Sequence, residues 1–289
     1  MVFLSWKAKI LMQSSQSEFL KSYDQAEDTL KKLFDSRLRV AILAALEEGP
    51  LRLADLRREV HANAPNTSSK AKELEVMGFI DRVDGNFELT NFGMATLGNT
   101  KELLNFYSTY KKFEDFWRTH ENDCIPEFLF KRLGDLKKSE LLSYDPTDMQ
   151  AIDQTFYAII RKSKKFWRGF FPVLDPEWLD LSIEASKKGL EFEFIFTPKI
   201  LETVLKNKRW LNKISHYTRL KLFELDIEPK ILFAIGDNFF DMSLKLKAYN
   251  VNLWDVDLLS FDPKAIKWGL DLFEHYKKQA KPVKLKDYL

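Results

Sequence analysis

The chain has 289 residues and a formal net charge of +2, so length suggests two domains and overall charge does not advertise a nucleic-acid binder. Apolar residues make up 45% and aromatic residues 14%, with only ten Gly and ten Pro, which excludes extended disorder and favours packed cores. A lone cysteine, Cys124, excludes an internal disulfide and fits a reducing cytoplasm.

In chain order, Met1–Met12 holds scattered apolar residues interrupted by Lys7 and Lys9. It reads as a helix or frayed end, not as a signal peptide, and no later run reaches the ~18 apolar residues of a membrane span. Ser36–Glu48 places Leu38, Ile42, Leu43 and Leu46 at helical spacing, and Gly49-Pro50 stops it. Leu53–Val60 predicts a second short helix. Asn63 is a candidate N-cap with Pro65 in the first turn of a third helix, which runs to Met77 and ends at Gly78. Phe79–Val83 and Phe87–Leu89 alternate around Asp84-Gly85-Asn86, a hairpin signal. Phe92–His120 reads as mostly helical, with Leu103, Phe106, Tyr110, Phe113 and Trp117 on one stripe. That stripe fits a dimerising or bridging helix and equally a helix packed on its own domain.

Three helices followed by a hairpin over about 60 residues is the plan of a winged helix-turn-helix. The segment ELEVMGFIDR…DGNFELTNFG resembles the end of a recognition helix, a wing and its exit in the ArsR- and MarR-like families. The third helix is then expected in a DNA major groove, with Asn66, Ser68, Ser69, Lys70 and Lys72 facing outward. Arg82 and Asn86 on the hairpin, and Arg52, Arg57 and Arg58 around the second helix, are the expected backbone contacts. Charge opposes this reading: Asp35–Phe92 carries eight basic and ten acidic side chains. Basic residues gathered at helix starts and on the hairpin, doubled in a homodimer, are what would offset it.

A second unit begins after Asp123. Helices are expected over Asp148–Lys165, Trp178–Lys188, Pro198–Lys206 and Ala265–Lys278. Strands are expected over Glu191–Thr197 and Arg219–Leu225, with a strand pair at Lys230–Gly236 and Phe239–Lys245. Alternating strands and helices argue for a layered α/β domain.

Four stretches of this unit resemble the methanogenesis regulatory protein (FilR1-like) family of archaeal regulators: Ile125–Leu142, Lys187–Val204, Phe233–Leu246 and Asp257–Val283. The last is the most specific, with its Ala-Ile-x-Trp-Gly-x-x-Leu-Phe-x-x-Tyr helix. The resemblance implies a two-domain α+β / α/β regulator: an N-terminal winged helix and a C-terminal α/β sensor, similar in layout to the phospholipase D-like effector domains of sugar-sensing archaeal regulators. The expected divisions are 1–34 as an extension, 35–98 as the DNA-binding domain, 99–122 as a linking or dimerising helix and 123–289 as the sensor. Between Phe240 and Asp257 the chain departs from the family pattern, since Ser243-Leu244 is followed by Lys245-Leu246-Lys247-Ala248-Tyr249.

Catalytic signatures are missing. A phospholipase D site needs His-x-Lys-x-x-x-x-Asp, and after His275-Tyr276-Lys277 the Asp position is Pro282. His61, His120, His216 and His275 lack metal-ligand spacing, and no P-loop, dinucleotide turn or nucleophile elbow occurs. Cys124 reads as a small packed residue, and Asp237 with Asp241, or Glu191 with Glu193, as surface charges. Neither enzyme activity nor a cofactor or metal is expected. Arg161, Trp167, Arg168, Phe170, Asp237 and Trp254, placed at element ends, are the candidate lining of an effector pocket for an anionic or sugar-like ligand. The expected partners are duplex DNA, a small-molecule effector and a second copy of the chain. The alternative is a ligand-sensing or protein-contact adaptor whose winged helix does not bind DNA.

Overall fold

In the computed structural model of the chain, the described residues are 2–143, 157–173, 180, 189–214, 219–247 and 254–288. Two compact units meet inside one helix, the first ending at Glu102 and the second beginning at Leu103.

The first unit opens with α1 (Val2–Phe34) and α2 (Arg37–Ala45), followed by β1 (Leu51–Arg52), α3 (Leu53–Glu59) and α4 (Ala64–Val76). Next come β2 (Ile80–Val83), β3 (Asn86–Leu89) and the start of α5 (Asn91–Lys112). Ile42, Leu43, Leu56, Ala71, Leu74, Phe79 and Phe87 make the core, so one face of each short helix is spent on packing. Asn63 caps α4, accepting from the Asn66 backbone N–H at 2.9 Å, with proline in the first turn. The strands form an antiparallel sheet in the order β1-β3-β2. Its hairpin turns through Asp84 (φ 50°) and Gly85 (φ 82°), both left-handed, as a twisted two-residue hairpin requires.

Thr90 closes this unit. Its hydroxyl donates to the Gly78 carbonyl at 2.7 Å and accepts the Gly93 N–H at 2.9 Å. That pulls α5 against the Phe79 backbone so tightly that a Cβ on Gly93 would collide with the Phe79 carbonyl. Gly93→Ala is therefore expected to destabilise the first unit by about 2–3 kcal/mol. A denaturant midpoint unchanged within error would remove this account of the Thr-x-x-Gly exit.

The second unit takes in the rest of α5, α6 (Glu114–Thr119), α7 (Glu127–Phe130), β4 (Glu140–Ser143), α8 (residues 157–162) and β5 (Phe166–Phe171). It continues through β6 (Glu191–Phe196), α9 (Pro198–Lys206), α10 (Lys208–Ile214), β7 (Leu220–Glu224) and β8 (Ile231–Gly236). It ends with β9 (Phe240–Leu244), β10 (Val256–Ser260), α11 (Pro263–Lys277) and β11 (Lys281–Val283). Eight strands form one sheet in the order β11-β7-β6-β5-β8-β9-β10-β4. The β5-β6-β7 pairs are parallel and the others antiparallel. A sheet buried on both faces reads as near-continuous apolar strands, which is how ILFAIG is written, whereas EFEFIF alternates Glu and Phe at its start. One face packs on α11, α6 and α7, through Trp117, Leu129, Trp268, Leu272 and Phe273. The other packs on α9 and α10, through Leu201, Val204, Trp210 and Ile214.

Several expectations change here. The helix expected over Asp148–Lys165 is seen only as α8, because 148–156 lie outside the described residues and Ser163 already leaves the helix. The helix expected over Trp178–Lys188 also lies outside them, apart from Asp180. Five strands, β1, β4, β5, β10 and β11, were not read from the sequence. The stripe of Phe113 and Trp117 is buried in the second unit's own core, with Phe106 and Tyr110 packed against it. Leu103 stays 48% exposed. Residues 103–120 thus belong to the second unit's packing and are no free linker.

Candidate functional site

In the first unit the candidate surface is α4 with the β2-β3 hairpin. Thr67, Ala71 and Leu74 are buried, which turns Asn66, Ser68, Ser69 and Lys72 outward. The first turn of α4 carries no acidic residue, so its free N–H groups meet no local carboxylate. Lys70 is different: its ammonium lies 2.7 Å from Glu73, a carboxylate that also pairs with Arg39. Arg39 is buried and joins Asp35 as well, tying α2 to α4. Arg58 pairs with Asp55. Arg52, Arg57, Lys72 and Arg82 are exposed.

Register places the remaining candidates. Arg52 pairs with Asn86 across β1 and β3, and Asn86 with Val83 across the hairpin. These three share the outward face, because opposed residues point the same way. Arg82 is opposite Phe87, on the row that faces the core, and its guanidinium lies 5.5 Å from the Phe87 ring centroid. It covers the edge of the core as well as reaching solvent.

In the second unit a cavity of about 830 Å³ is lined by Arg161, Lys162, Ser163, Lys164, Leu190, Asp237 and Asn238. Of the six effector candidates, the structure brings Arg161 and Asp237 together here. Lys162, Ser163, Lys164, Leu190 and Asn238 were not singled out from sequence, although RKSKK is a conspicuous basic run. Trp167, Arg168 and Phe170, expected at an element end, lie inside β5 near the sheet centre, a correction to their expected place. Trp167 and Phe170 are core residues on opposite faces. Arg168 lies over the rings of Phe166 and Phe273 and 3.6 Å from Glu274. Trp254 precedes β10 and does not line the cavity; its indole N–H is buried without a partner.

Glu193 is also corrected: it is buried, not a surface charge, and receives Lys277 and, at 3.0 Å, Lys221. Burial pushes its carboxyl up, but the two lysine hydrogen bonds outweigh burial and hold it below the usual carboxylate range. Asp241 likewise is buried, on β9. Burial pushes the Cys124 thiol up to about 12, which disfavours the thiolate that a nucleophile needs. His120 is enclosed, with Nε2 2.9 Å from Asp255. Among the described residues no His, Cys, Asp and Glu cluster could hold a metal, and no helix is long and apolar enough to cross a membrane.

Comparison with known proteins divides the chain similarly. Residues 149–279 match the family model of the methanogenesis regulatory protein FilR1 middle domain. Residues 27–111 match that of the HVO_A0261 N-terminal domain. The methanogenesis regulatory protein FilR1 of Methanothrix harundinacea (strain 6Ac) is 22% identical over 266 residues, covering 88% of this chain. The alignment spans 58% of that relative's length. Among solved structures, TrmBL2, described as an archaeal chromatin protein, is 16% identical with a TM-score of 0.42, over 90% of this chain and 99% of its own. NucT from Helicobacter pylori is 14% identical with a TM-score of 0.40, over 50% of this chain and 99% of its own. Both structural likenesses are loose.

Proposed function

Because the chain is FilR1-like in sequence, we propose that it is a transcriptional regulator that binds duplex DNA through a winged helix-turn-helix. In this reading α4 enters the major groove, the β2-β3 hairpin is the wing, and an effector bound in the second unit sets the affinity. The observation that carries it is the outer edge of α4. Asn66, Ser68, Ser69 and Lys72 form a polar strip, with no acid in the first turn and the Ser69 hydroxyl donating to Glu73, on a helix whose other face is locked into the core. Asn and Lys read purine edges, and Ser holds phosphates.

The local excess of acid is partly internal. Asp35, Glu73, Asp55 and Glu47 are bound to Arg39, Lys70, Arg58 and Lys101. The exposed Arg52, Arg57, Lys72 and Arg82 then supply the phosphate contacts. A second copy doubles them, and α1 offers the means. Phe19, Tyr23, Ala26 and Leu30 follow the three-four spacing of a helix-helix seam, whereas Leu33, next in the row, is buried in the unit's own core. Phe19 is 69% exposed and Tyr23 46%.

The test is binding of the intact chain to its own promoter fragment across a salt series. Wild type should bind specifically, two chains per site, with affinity falling steeply as salt rises. Arg52→Ala with Lys72→Ala should weaken binding about tenfold or more and flatten the salt slope by about one per lost phosphate contact. Absence of promoter binding even at low salt would favour the adaptor reading, to which the ten acidic against eight basic side chains of Asp35–Phe92 lend weight.

A further inference from the structure

We infer that the cavity between the end of α8 and the β8-β9 turn is a binding site for a small polyvalent anion, one carrying phosphate or clustered carboxylate groups. The inference rests on the effector reading above and names the ligand chemistry of that unit. Arg161, Lys162, Lys164 and Lys165 fall within five residues, and the first three line the cavity with exposed side chains. Several cations elsewhere in the unit are matched by carboxylates, among them Arg132 with Asp135 and Asp271, Lys230 with Asp123 and Lys277 with Glu193. Among the described residues, no carboxylate pairs with the three cavity cations.

The one acid in the lining, Asp237, makes no ion pair with them and offsets only one of the three charges. Asp237 turns Oδ1 to the backbone, accepting from the N–H groups of Lys164 at 2.9 Å and Lys165 at 3.2 Å. Asn238 is fixed as well, because its Oδ1 accepts the buried Ser163 hydroxyl at 2.8 Å. Its amide NH₂ is left as a further donor. These bonds pin the basic run to the β8-β9 turn. Gly236 makes the approach possible, since a Cβ there would stand 2.6 Å from Ser163 Oγ.

The result is a concave wall of donors over Leu190, which is itself buried in the core beneath. Holding like charges together costs free energy that a bound anion recovers, and guanidinium with ammonium suits phosphate and carboxylate oxygens. A volume of about 830 Å³ suits a metabolite rather than a bare monovalent ion.

The test is calorimetric titration of the intact chain, without DNA and at constant ionic strength, using pyrophosphate, citrate and glucose in turn. Wild type should bind pyrophosphate or citrate saturably and show no heat of binding with glucose. Arg161→Gln with Lys164→Gln should weaken anion binding about tenfold or more, with an unchanged melting temperature in the absence of anion. Lys199→Gln, exposed on α9, should bind as wild type does. Failure of both anions to bind, an unchanged affinity in the double variant, or an equal loss in Lys199→Gln overturns the inference. So does binding of a short duplex that depends on Arg161 and Lys164 while neither anion binds, which would give the run to a nucleic-acid backbone. Because DNA is absent from the anion titration, its failure leaves promoter binding untouched, and the reverse holds.

Discussion

Trp268→Ala is expected to cost the second unit about 3–5 kcal/mol. Trp268 is fully buried on α11, tilted against Phe240 at 5.5 Å between ring centroids. Its indole N–H donates to the Leu129 carbonyl at 2.9 Å, fastening α11 to α7. Truncation opens a cavity that the close-packed face cannot fill and removes one of two hydrogen bonds to the Leu129 carbonyl, which keeps the Arg132 N–H at 2.9 Å. The same helix buries Ala265, Gly269, Leu272, Phe273 and Tyr276, and a Cβ on Gly269 would drive into the Phe240 ring. The Ala-Ile-x-Trp-Gly-x-x-Leu-Phe-x-x-Tyr stretch is therefore a packing signature. The measurement is a denaturant titration followed by far-UV circular dichroism. Trp268→Phe, which keeps most of the volume and loses only the N–H donor, should recover more than half of the loss. Equal losses in the two variants would mean that the hydrogen bond, not the volume, governs this contact.

How much of this was legible depends on how local the deciding interaction is. The Asp84-Gly85 turn was readable because a two-residue hairpin demands positive φ at both positions, and that demand selects residue types. Asn63 and Pro65 were readable as the start of α4 for a similarly local reason. β5 was not. FWRGFF is buried on both faces and shows no alternation, so its aromatic-cation sequence suggested a pocket wall when it is the middle of a sheet. Arg161 and Asp237 were both singled out, but nothing in the sequence joins residues 76 positions apart. The antiparallel register Trp167↔Gly236 does so, and only the fold supplies it. Lys70 was legible only in part. Its position follows from helical period and its pair with Glu73 is a local i,i+3 contact, whereas the second partner of Glu73, Arg39, comes from α2 and only the fold supplies it.

Stability of the second unit should fall as pH rises from 5 to 8, and Asp241→Asn should remove most of that fall. Asp241 stands on β9 opposite Ala234 of β8 and Leu259 of β10. Burial, with the nearby Asp257 charge adding to it, pushes its carboxyl well above the usual carboxylate range. Asp257, across from Ser243, accepts the Ser243 hydroxyl at 2.6 Å. In the folded chain Asp241 thus keeps its proton at pH values where the unfolded chain, with an aspartate near ~3.9, has released it. The folded state binds the extra proton, so its advantage is full below the unfolded value and is lost as pH climbs toward the raised one. Glu193 has the opposite sign: its lowered value gives stability that is lost only on acidification, below this window. The amide introduced by Asp241→Asn would fill the same space with no charge to bury at any pH. Denaturant midpoints at pH 5, 6.5 and 8 decide the matter. A wild-type midpoint that declines while Asp241→Asn stays level, and overtakes it by pH 8, supports a protonated Asp241 as a buried liability in the sheet. Parallel declines in the two proteins would place the pH sensitivity elsewhere.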